Sequence, residues 1–182
     1  MNPATNALGE RSRSVPSARG AANGRNIGRL LFRSLYRLNV VGAGNVPHRG
    51  RLIVAANHIG FLDGPLLFSA SPRPLHLVAK SELFDPPFDK VLSGVGQIPL
   101  DYESPDRAAV QDALGVLEDG RALGIFPEAH RGRGDFARIR HGIAYLHSRT
   151  NAPIVPAAIF GTRLTGMTKN QLPKARSELT VV

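Results

Sequence analysis

The chain has 182 residues, of which 42% are hydrophobic and 20% are charged, as in an ordinary globular domain. Its lack of cysteine excludes disulfide bridges and thiolate metal sites, and no apolar run is as long as a transmembrane helix. The N-terminus also lacks the apolar segment of a secretory signal peptide. We therefore expect a single domain that does not span a membrane.

The net charge of +9 is concentrated near the N-terminus. Residues 1–51 contain nine arginines and one acidic residue, Glu10, which gives this segment a charge of +8. The remaining 131 residues carry 14 basic and 13 acidic side chains. The basicity is thus a property of the N-terminal segment and not of the rest of the chain.

Residues 1–24 are mostly small, polar or arginine, and we predict that they form a disordered basic arm. Residues 25–39 are predicted to form an amphipathic helix at a membrane interface. Its apolar residues recur at helical spacing and its arginines step by four along the other side: Ile27, Leu30, Leu31, Leu35 and Leu38, against Arg25, Arg29, Arg33 and Arg37. The same pattern also fits a helix that packs on its own domain with solvated arginines, so both interpretations stay open.

From residue 40 onward, short apolar runs alternate with helical patterns. The predicted strands are Leu52–Ala56, Leu75–Ala79, a short one within Gly94–Leu100, Leu123–Pro127, Ile154–Phe160 and one that begins at Leu179. The predicted helices are Pro65–Ala70, Pro86–Leu92, one capped by Ser104 and closed by Gly120, and Ile139–Ser148. This alternation indicates an α/β fold, with a largely parallel sheet flanked by helices and preceded by the amphipathic N-terminal helix.

Polar residues directly follow the predicted strand Leu52–Ala56, at the end where open α/β sheets place their sites. His58 and Asp63 are five residues apart, so a continuous helix would put them on different faces. They can meet only if the chain turns between them, and Gly60 permits such a turn. Asp63 suits the cap of the following helix. From there a carboxylate can hold the imidazole in one tautomer while the other ring nitrogen takes a proton.

A second histidine and aspartate have the same spacing. His130 and Asp135 lie in a loop rich in glycine and arginine. A pair of this kind is a weak signal by itself, because chance produces it in a chain of this composition. We interpret His130 as a residue at the edge of a pocket and keep it as a rival candidate for the base.

Several further segments extend the pattern around His58. They are Lys80-Ser81-Glu82-Leu83, Gly96-Gln97-Ile98-Pro99-Leu100, Phe126-Pro127-Glu128 with Arg131, and Val155-Pro156-Ala157. Together with Asn57-His58 and Asp63, in this order and spacing, they resemble the HxxxxD-type glycerolipid acyltransferases. The likeness is greatest to the bacterial 1-acylglycerol-3-phosphate acyltransferases, and it covers roughly residues 38–165.

The resemblance implies acyl transfer from a thioester to a hydroxyl group. His58 would be the general base on the hydroxyl of the acceptor, and Asp63 would orient and balance it. The acyl donor would be acyl-CoA or acyl carrier protein, and the acceptor would be a lyso-phospholipid, foremost 1-acylglycerol-3-phosphate. No metal and no other cofactor is implied.

The resemblance also implies a set of substrate-binding residues. Glu128 and Arg131 would bind the acceptor, with Arg131 on its phosphate and Lys80 as a second cation. Gly96 and Pro127 belong to the matching substrate-binding segments. An ion pair between Arg131 and Glu128 that only braces the loop is the alternative.

Four positions depart from the pattern of the family. Gly60 stands where the family often has serine or threonine, and Ala129 and His130 replace a glycine and a threonine of the third segment. Tyr102 stands where the second segment usually ends in an arginine that contacts phosphate. The missing cation weakens the implied preference for a phosphorylated acceptor, so another lyso-lipid or a glycolipid is the alternative acceptor.

The resemblance therefore implies a peripheral enzyme of phospholipid synthesis on the cytoplasmic face of the cell membrane, in contact with an anionic membrane surface. We expect no nucleic-acid partner, because aromatic residues are only 6% of the chain and offer little base stacking. A non-catalytic, basic membrane-binding protein is the alternative from another class. The acyltransferase domain would span residues 40–182, and because the family usually continues with a further strand, we expect it to be incomplete at its C-terminus.

Overall fold

The structure, a computed structural model, describes residues 15–137 and 139–182. Within these residues there are five α-helices: α1 (Ala18–Leu35), α2 (Asp63–Ala70), α3 (Asp89–Gly94), α4 (Arg107–Glu118) and α5 (Gly142–Thr150). The strands are β1 (Arg37–Val40), β2 (Leu52–Ala56), β3 (Leu75–Lys80), β4 (Ile98–Leu100), β5 (Ala122–Ile125), β6 (Ile154–Ala157), β7 (Ile159–Phe160) and β8 (Glu178–Val181). Short 3-10 turns lie at Ala43–Asn45 and Ser81–Phe84.

The main sheet has five strands in the order β4-β3-β5-β2-β6, and every neighbouring pair is parallel. Strands β2 and β5 are neighbours in space although three α-helices and two other strands separate them in the chain. Ala55 near the end of β2 pairs with Ile125 at the end of β5. The polar residues that follow these two strands are therefore brought to one edge of the sheet. The prediction of a largely parallel sheet flanked by helices is confirmed.

A second, smaller sheet has the order β1-β8-β7, with β1 parallel and β7 antiparallel to β8. The predicted strand Ile154–Phe160 divides between the two sheets, because the chain leaves the main sheet after Ala157 and β7 begins at Ile159. The predicted last strand is confirmed as β8. The side chain of Asn57 ties the two sheets together: it accepts from Ile159 N at 2.7 Å and donates to Ile159 O at 3.0 Å.

Apolar side chains on the two faces of β2 supply two hydrophobic cores. Leu52, Val54 and Ala56 pack toward α1, α2 and the smaller sheet, whereas Ile53 packs toward α4 and α5. Burial on both faces explains why β2 is a nearly continuous apolar run. Helix α2 lies directly after the turn that carries His58, so the first of these cores fixes the position of that turn.

The first helix differs from its prediction at both ends. It begins at Ala18, so the predicted disorder is wrong for residues 18–24, and it ends at Leu35, so residues 37–39 belong to β1 and not to a helix. The Oγ of Ser17 caps the helix by accepting from Gly20 N at 3.0 Å. Small residues that looked like a disordered segment let α1 pack closely: a Cβ at Gly24 would lie 2.6 Å from a methyl of Val95. Residues 1–14 of the predicted arm lie outside the described residues.

The other helix starts are also shifted: α2 begins at Asp63 and not at Pro65, and α5 begins at Gly142 and not at Ile139. Helix α4 is capped by Asp106, whose Oδ1 accepts from Ala109 N at 2.9 Å, while the predicted cap, Ser104, donates to Asp101 at 2.6 Å. Helix α3 begins at Asp89 and not at Pro86. No helix in the described part of the chain is long and apolar enough to cross a membrane.

Candidate active site

The turn between β2 and α2 brings His58 against Asp63. His58 Nδ1 lies 2.9 Å from Asp63 Oδ2; Asp63 is fully buried, and 19% of the His58 side chain is exposed. The same carboxylate oxygen accepts from Ile59 N at 2.6 Å and from Gly60 N at 2.8 Å. Asp63 was predicted to cap α2. It is instead the first residue of this helix, and its carboxylate closes the preceding turn.

The two ring nitrogens of His58 have different surroundings. Nδ1 is engaged by Asp63, whereas no atom of the described residues hydrogen-bonds Nε2. The ring stacks on Phe126, which follows β5, with centroids 4.3 Å apart and planes 23° apart. With Nδ1–H donating to Asp63, Nε2 carries a free lone pair on a side chain of fixed orientation. This arrangement can take a proton from a bound hydroxyl group.

The loop after β5 holds the backbone of His58 on both sides. Glu128 Oε1 accepts from His58 N at 3.2 Å, and Gly132 N donates to His58 O at 2.8 Å. The loop turns at Ala129, which has a φ of 61°, a left-handed conformation that glycine adopts more easily. This conformation gives a physical reason for the glycine that the family usually has there. Glu128, predicted to bind the acceptor, here supports the histidine.

Arg131 is half-buried in the same loop and contacts a distant segment. Its Nη1 donates to Lys169 O at 3.0 Å and to Asn170 Oδ1 at 2.7 Å, and its guanidinium lies 5.8 Å from the ring centroid of Phe61. The alternative ion pair between Arg131 and Glu128 is not among the ion pairs of the described residues. Arg131 therefore lies beside the turn of His58, tied to the segment that follows β7.

Two predicted substrate-binding residues, Lys80 and Gly96, do not lie beside His58 and Asp63. Lys80 ends β3, which β5 separates from β2, and it is an exposed partner of Glu82; their hydrogen bond raises the pKa of Lys80. Gly96 precedes β4, so it lies at the amino ends of the parallel strands, whereas His58 lies at their carboxyl ends. A Cβ there would be 2.6 Å from Ser17 O and 3.1 Å from His76 Nδ1, so Gly96 permits the close packing of α1.

The rival pair of His130 and Asp135 does not form. Asp135 accepts from Ala137 N at 3.2 Å and pairs with Arg133, while the exposed His130 ring lies 5.9 Å from the ring of Tyr102. Among the residues that the structure describes, the hydrogen-bonded histidine–aspartate pair is that of His58 and Asp63.

An apolar cavity of about 270 Å³ adjoins the candidate site. It lies between the main sheet and helices α4 and α5, and Phe126 and Pro127 line it beside His58. Its other apolar walls include Val78, Leu100, Val110, Ile125 and Ile143. Tyr102 also lines the cavity, and burial raises the pKa of its hydroxyl, so the phenol is neutral at neutral pH.

Two residues that follow β7, which no sequence motif had singled out, also belong to the candidate site. Thr162 Oγ1 donates to Asp63 Oδ1 at 2.5 Å. Arg163 Nη1 donates to Ile59 O at 3.2 Å and to Gly132 O at 3.1 Å, which links the turn of His58 to the loop after β5. The available signal in the sequence was the polar segment Gly161-Thr162-Arg163 after an apolar strand, the same pattern that singled out His58.

Comparison with known proteins places the chain in a family. A sequence model of the acyltransferase family matches residues 37–160, which include His58, Asp63, Glu128 and Arg131. The chain belongs to the acyltransferase family. The resemblance that the sequence motifs indicated is thereby confirmed.

Among its relatives, the chain is 31% identical over 130 residues to a 1-acyl-sn-glycerol-3-phosphate acyltransferase of Borreliella burgdorferi, which covers 69% of this chain and 52% of that protein. It is 33% identical over 150 residues to an uncharacterized protein of Mycobacterium tuberculosis, which covers 74% of this chain and 40% of that protein. The chain thus spans about half or less of the length of these family members.

The fold is similar to the crystal structure of the 1-acyl-sn-glycerophosphate acyltransferase PlsC of Thermotoga maritima. The TM-score is 0.70 and the sequence identity is 22%, over 88% of this chain and 66% of that one. This likeness confirms the α/β fold. A function can be proposed from the acyltransferase family and from its named relative in Borreliella burgdorferi.

Proposed function

We propose that this protein is an O-acyltransferase that moves a fatty acyl group from a thioester to the hydroxyl of a lyso-phospholipid. One observation carries the proposal: Asp63 holds Nδ1 of His58 while Nε2 stays unoccupied by any described residue. The function named for the relative from Borreliella burgdorferi supports the same reaction and makes 1-acylglycerol-3-phosphate the first acceptor to test.

The chemistry follows from the two ring nitrogens. Nε2 of His58 takes the proton of the acceptor hydroxyl as its oxygen attacks the thioester carbonyl. Asp63 stabilises the imidazolium that forms and keeps the ring in place. The carbon–sulfur bond then breaks, the new carbon–oxygen ester bond remains, and the imidazolium returns the proton to the departing thiolate. The reaction as written needs no cofactor.

The apolar cavity supports a fatty acyl donor. It adjoins Phe126, whose ring stacks on His58, so an acyl chain in the cavity would have its carbonyl end near the base. Burial of an apolar chain there would contribute about 0.8 kcal/mol per methylene group. The donor is acyl-CoA or acyl carrier protein.

Arg131 and Tyr102 bear on the choice of acceptor. Arg131 is a half-buried cation beside the turn of His58, and the oxygens that it now contacts are uncharged, so an acceptor phosphate would be a stronger partner. Tyr102, where the family usually has an arginine, favours a lyso-lipid or glycolipid without that phosphate. We take the phosphorylated acceptor as the first candidate because Arg131 is present.

Helix α1 supports attachment to a membrane. Four large apolar residues on one of its sides are more than half exposed: Ile27, Leu30, Leu31 and Leu35. Arg25 and Arg29, predicted to face the headgroups, instead donate to the carbonyls at the end of α2: Ser69, Ala70, Ser71 and Pro72. The helix is thus held on the domain by its arginines and presents its leucines outward.

A separate group of cations beside the end of this helix can supply electrostatic attraction. Arg33, Arg37 and Arg176 surround a small polar cavity at the C-terminal end of α1, and none of them belongs to an ion pair of the described residues. Each arginine near an anionic surface contributes about 1 kcal/mol. We propose that apolar insertion and these arginines together hold the enzyme on the cytoplasmic face of the cell membrane.

The test is a transfer assay with purified protein. A panel of lyso-phospholipids and lyso-glycolipids is offered with labelled acyl-CoA or acyl carrier protein, and lipid products are identified by mass spectrometry. We expect a diacyl product, foremost from 1-acylglycerol-3-phosphate. If no acceptor is acylated while the protein still binds anionic liposomes, the non-catalytic membrane-binding alternative is correct.

A further inference from the structure

The buried carboxylate of Asp63 receives one hydrogen bond that the mechanism above does not use. Thr162, two residues after β7, donates from Oγ1 to Asp63 Oδ1 at 2.5 Å, and both residues are fully buried. The bonds from His58, Ile59 and Gly60 all end on the other oxygen, Oδ2. Within the described residues, the hydrogen bond to Oδ1 therefore comes from Thr162.

Bonds to both oxygens fix the plane of a carboxylate. The terminal torsion of an aspartate side chain is broad, so hydrogen bonds to one oxygen restrain it less than hydrogen bonds to both oxygens. The donor on Oδ1 adds a restraint from the opposite side of the carboxylate, which further defines the direction of the bond from His58 Nδ1 to Oδ2.

The close approach of Gly60 to Thr162 shows that this contact belongs to the packing of the turn. A Cβ at Gly60 would lie 3.0 Å from Thr162 O and 3.1 Å from Thr162 Oγ1. In this chain Thr162 fills that space, so the hydroxyl beside Asp63 comes from a residue 99 positions later in the chain.

We infer that Thr162 is a positioning residue of the candidate active site, which sets the orientation of Asp63 and, through it, of His58. The inference rests on the proposed function, since it assigns Thr162 a part in the same reaction. Thr162 touches neither substrate nor His58 in this scheme, so its whole effect on catalysis passes through Asp63.

The first experiment compares Thr162→Val with Thr162→Ser in the transfer assay. Valine keeps the shape and removes the donor, so kcat should fall by about 10- to 100-fold, the range that loss of an outer hydrogen-bond partner costs at metal sites. KM for donor and acceptor should stay within about twofold, and Thr162→Ser should keep most of kcat. Thr150→Val is the matched control, because Thr150 is also buried but donates to Leu146 O within α5; its kcat should not change.

A double-mutant cycle separates positioning from a general loss of structure. In the background of Asp63→Asn, adding Thr162→Val should change kcat by less than about threefold, since Thr162 acts through the ionised Asp63. If Thr162→Val does not fold, Thr162→Ala takes its place in the same cycle. A kcat of Thr162→Val within twofold of the parent protein, or an equal fractional loss in both backgrounds, would overturn the inference.

The result for His58→Ala separates this inference from the proposed function. Full transfer activity in His58→Ala would refute the proposed function itself. An inactive His58→Ala together with a fully active Thr162→Val would leave the proposed function standing and refute the role of Thr162 alone.

Discussion

The charged groups around His58 divide between those that hold the histidine and those that remain available to a ligand. Glu128 uses one carboxylate oxygen on His58 N, and Arg163 bridges two backbone carbonyls. Arg131 makes its hydrogen bonds through Nη1, to neutral oxygens of Lys169 and Asn170. At the scale of single residues, a substrate phosphate would thus be a stronger partner for Arg131 than the neutral oxygens that it contacts now.

We predict that Arg131→Ala lowers kcat/KM for 1-acylglycerol-3-phosphate, at a cost of about 2–4 kcal/mol for a lost charge-assisted contact, with little change in melting temperature. Kinetics with phosphorylated and phosphate-free acceptors measure this directly. Arg133→Ala is the matched control, because Arg133 lies in the same loop with 90% of its side chain exposed.

A second variant distinguishes phosphate binding from support of the loop. Asn170→Ala removes the side-chain partner of Arg131 but leaves the guanidinium in place. Phosphate binding predicts that only Arg131→Ala is impaired, and only with the phosphorylated acceptor. Equal losses in Arg131→Ala and Asn170→Ala, with both acceptors, would mean that Arg131 only tethers the segment after β7.

At the scale of elements, α1 is both a part of the domain and the surface proposed to meet the membrane. It runs antiparallel to α2: Arg25 reaches Ser71 and Pro72 beyond the end of α2, and Gly28, one turn later, packs against Ser69. The C-terminal end of α1, with its exposed apolar residues, therefore points toward the end of α2 that carries Asp63. A membrane bound by this helix would lie toward the end of α2 that carries Asp63, which is the side that we propose for entry of the lipid acceptor.

We expect Leu30→Gln with Leu31→Gln to weaken binding to both neutral and anionic liposomes, since burial of one such side chain contributes about 1.5–3 kcal/mol. Arg33→Gln with Arg37→Gln should weaken only the binding to anionic liposomes, and salt should remove the same part. Sedimentation with each liposome type measures both effects. Val41→Gln, an exposed apolar position outside the helix, is the control; unchanged sedimentation of the leucine double variant would contradict the apolar attachment.

At the scale of the whole molecule, the sequence was sufficient for the features that depend on local pattern. Alternating apolar runs and helical periods predict the parallel sheet, and the polar residues directly after the apolar run of β2 predict a site at His58. These inferences succeed because parallel strands place their carboxyl ends at one edge whatever the details of packing.

The features that failed depend on contacts between distant segments. Glycines in α1 look like a disordered segment until α3 and α2 are packed against them, and Arg25 and Arg29 look solvated until the carbonyls that end α2 are in place. Thr162 is 99 residues from Asp63, and nothing in its local sequence specifies that the smaller sheet, fixed by Asn57, carries it to the carboxylate. Spacing along the chain contains no information of this kind.

The central claim is that His58 is the base of an acyl transfer, and the most direct test is the initial rate of transfer to 1-acylglycerol-3-phosphate in two variants. His58→Ala should lose at least about 10²-fold in kcat/KM, the usual scale of general-base catalysis, with the fold retained by circular dichroism. His130→Ala, which removes the rival histidine, should keep most of the rate. An active His58→Ala, or an inactive His130→Ala beside it, would contradict this account.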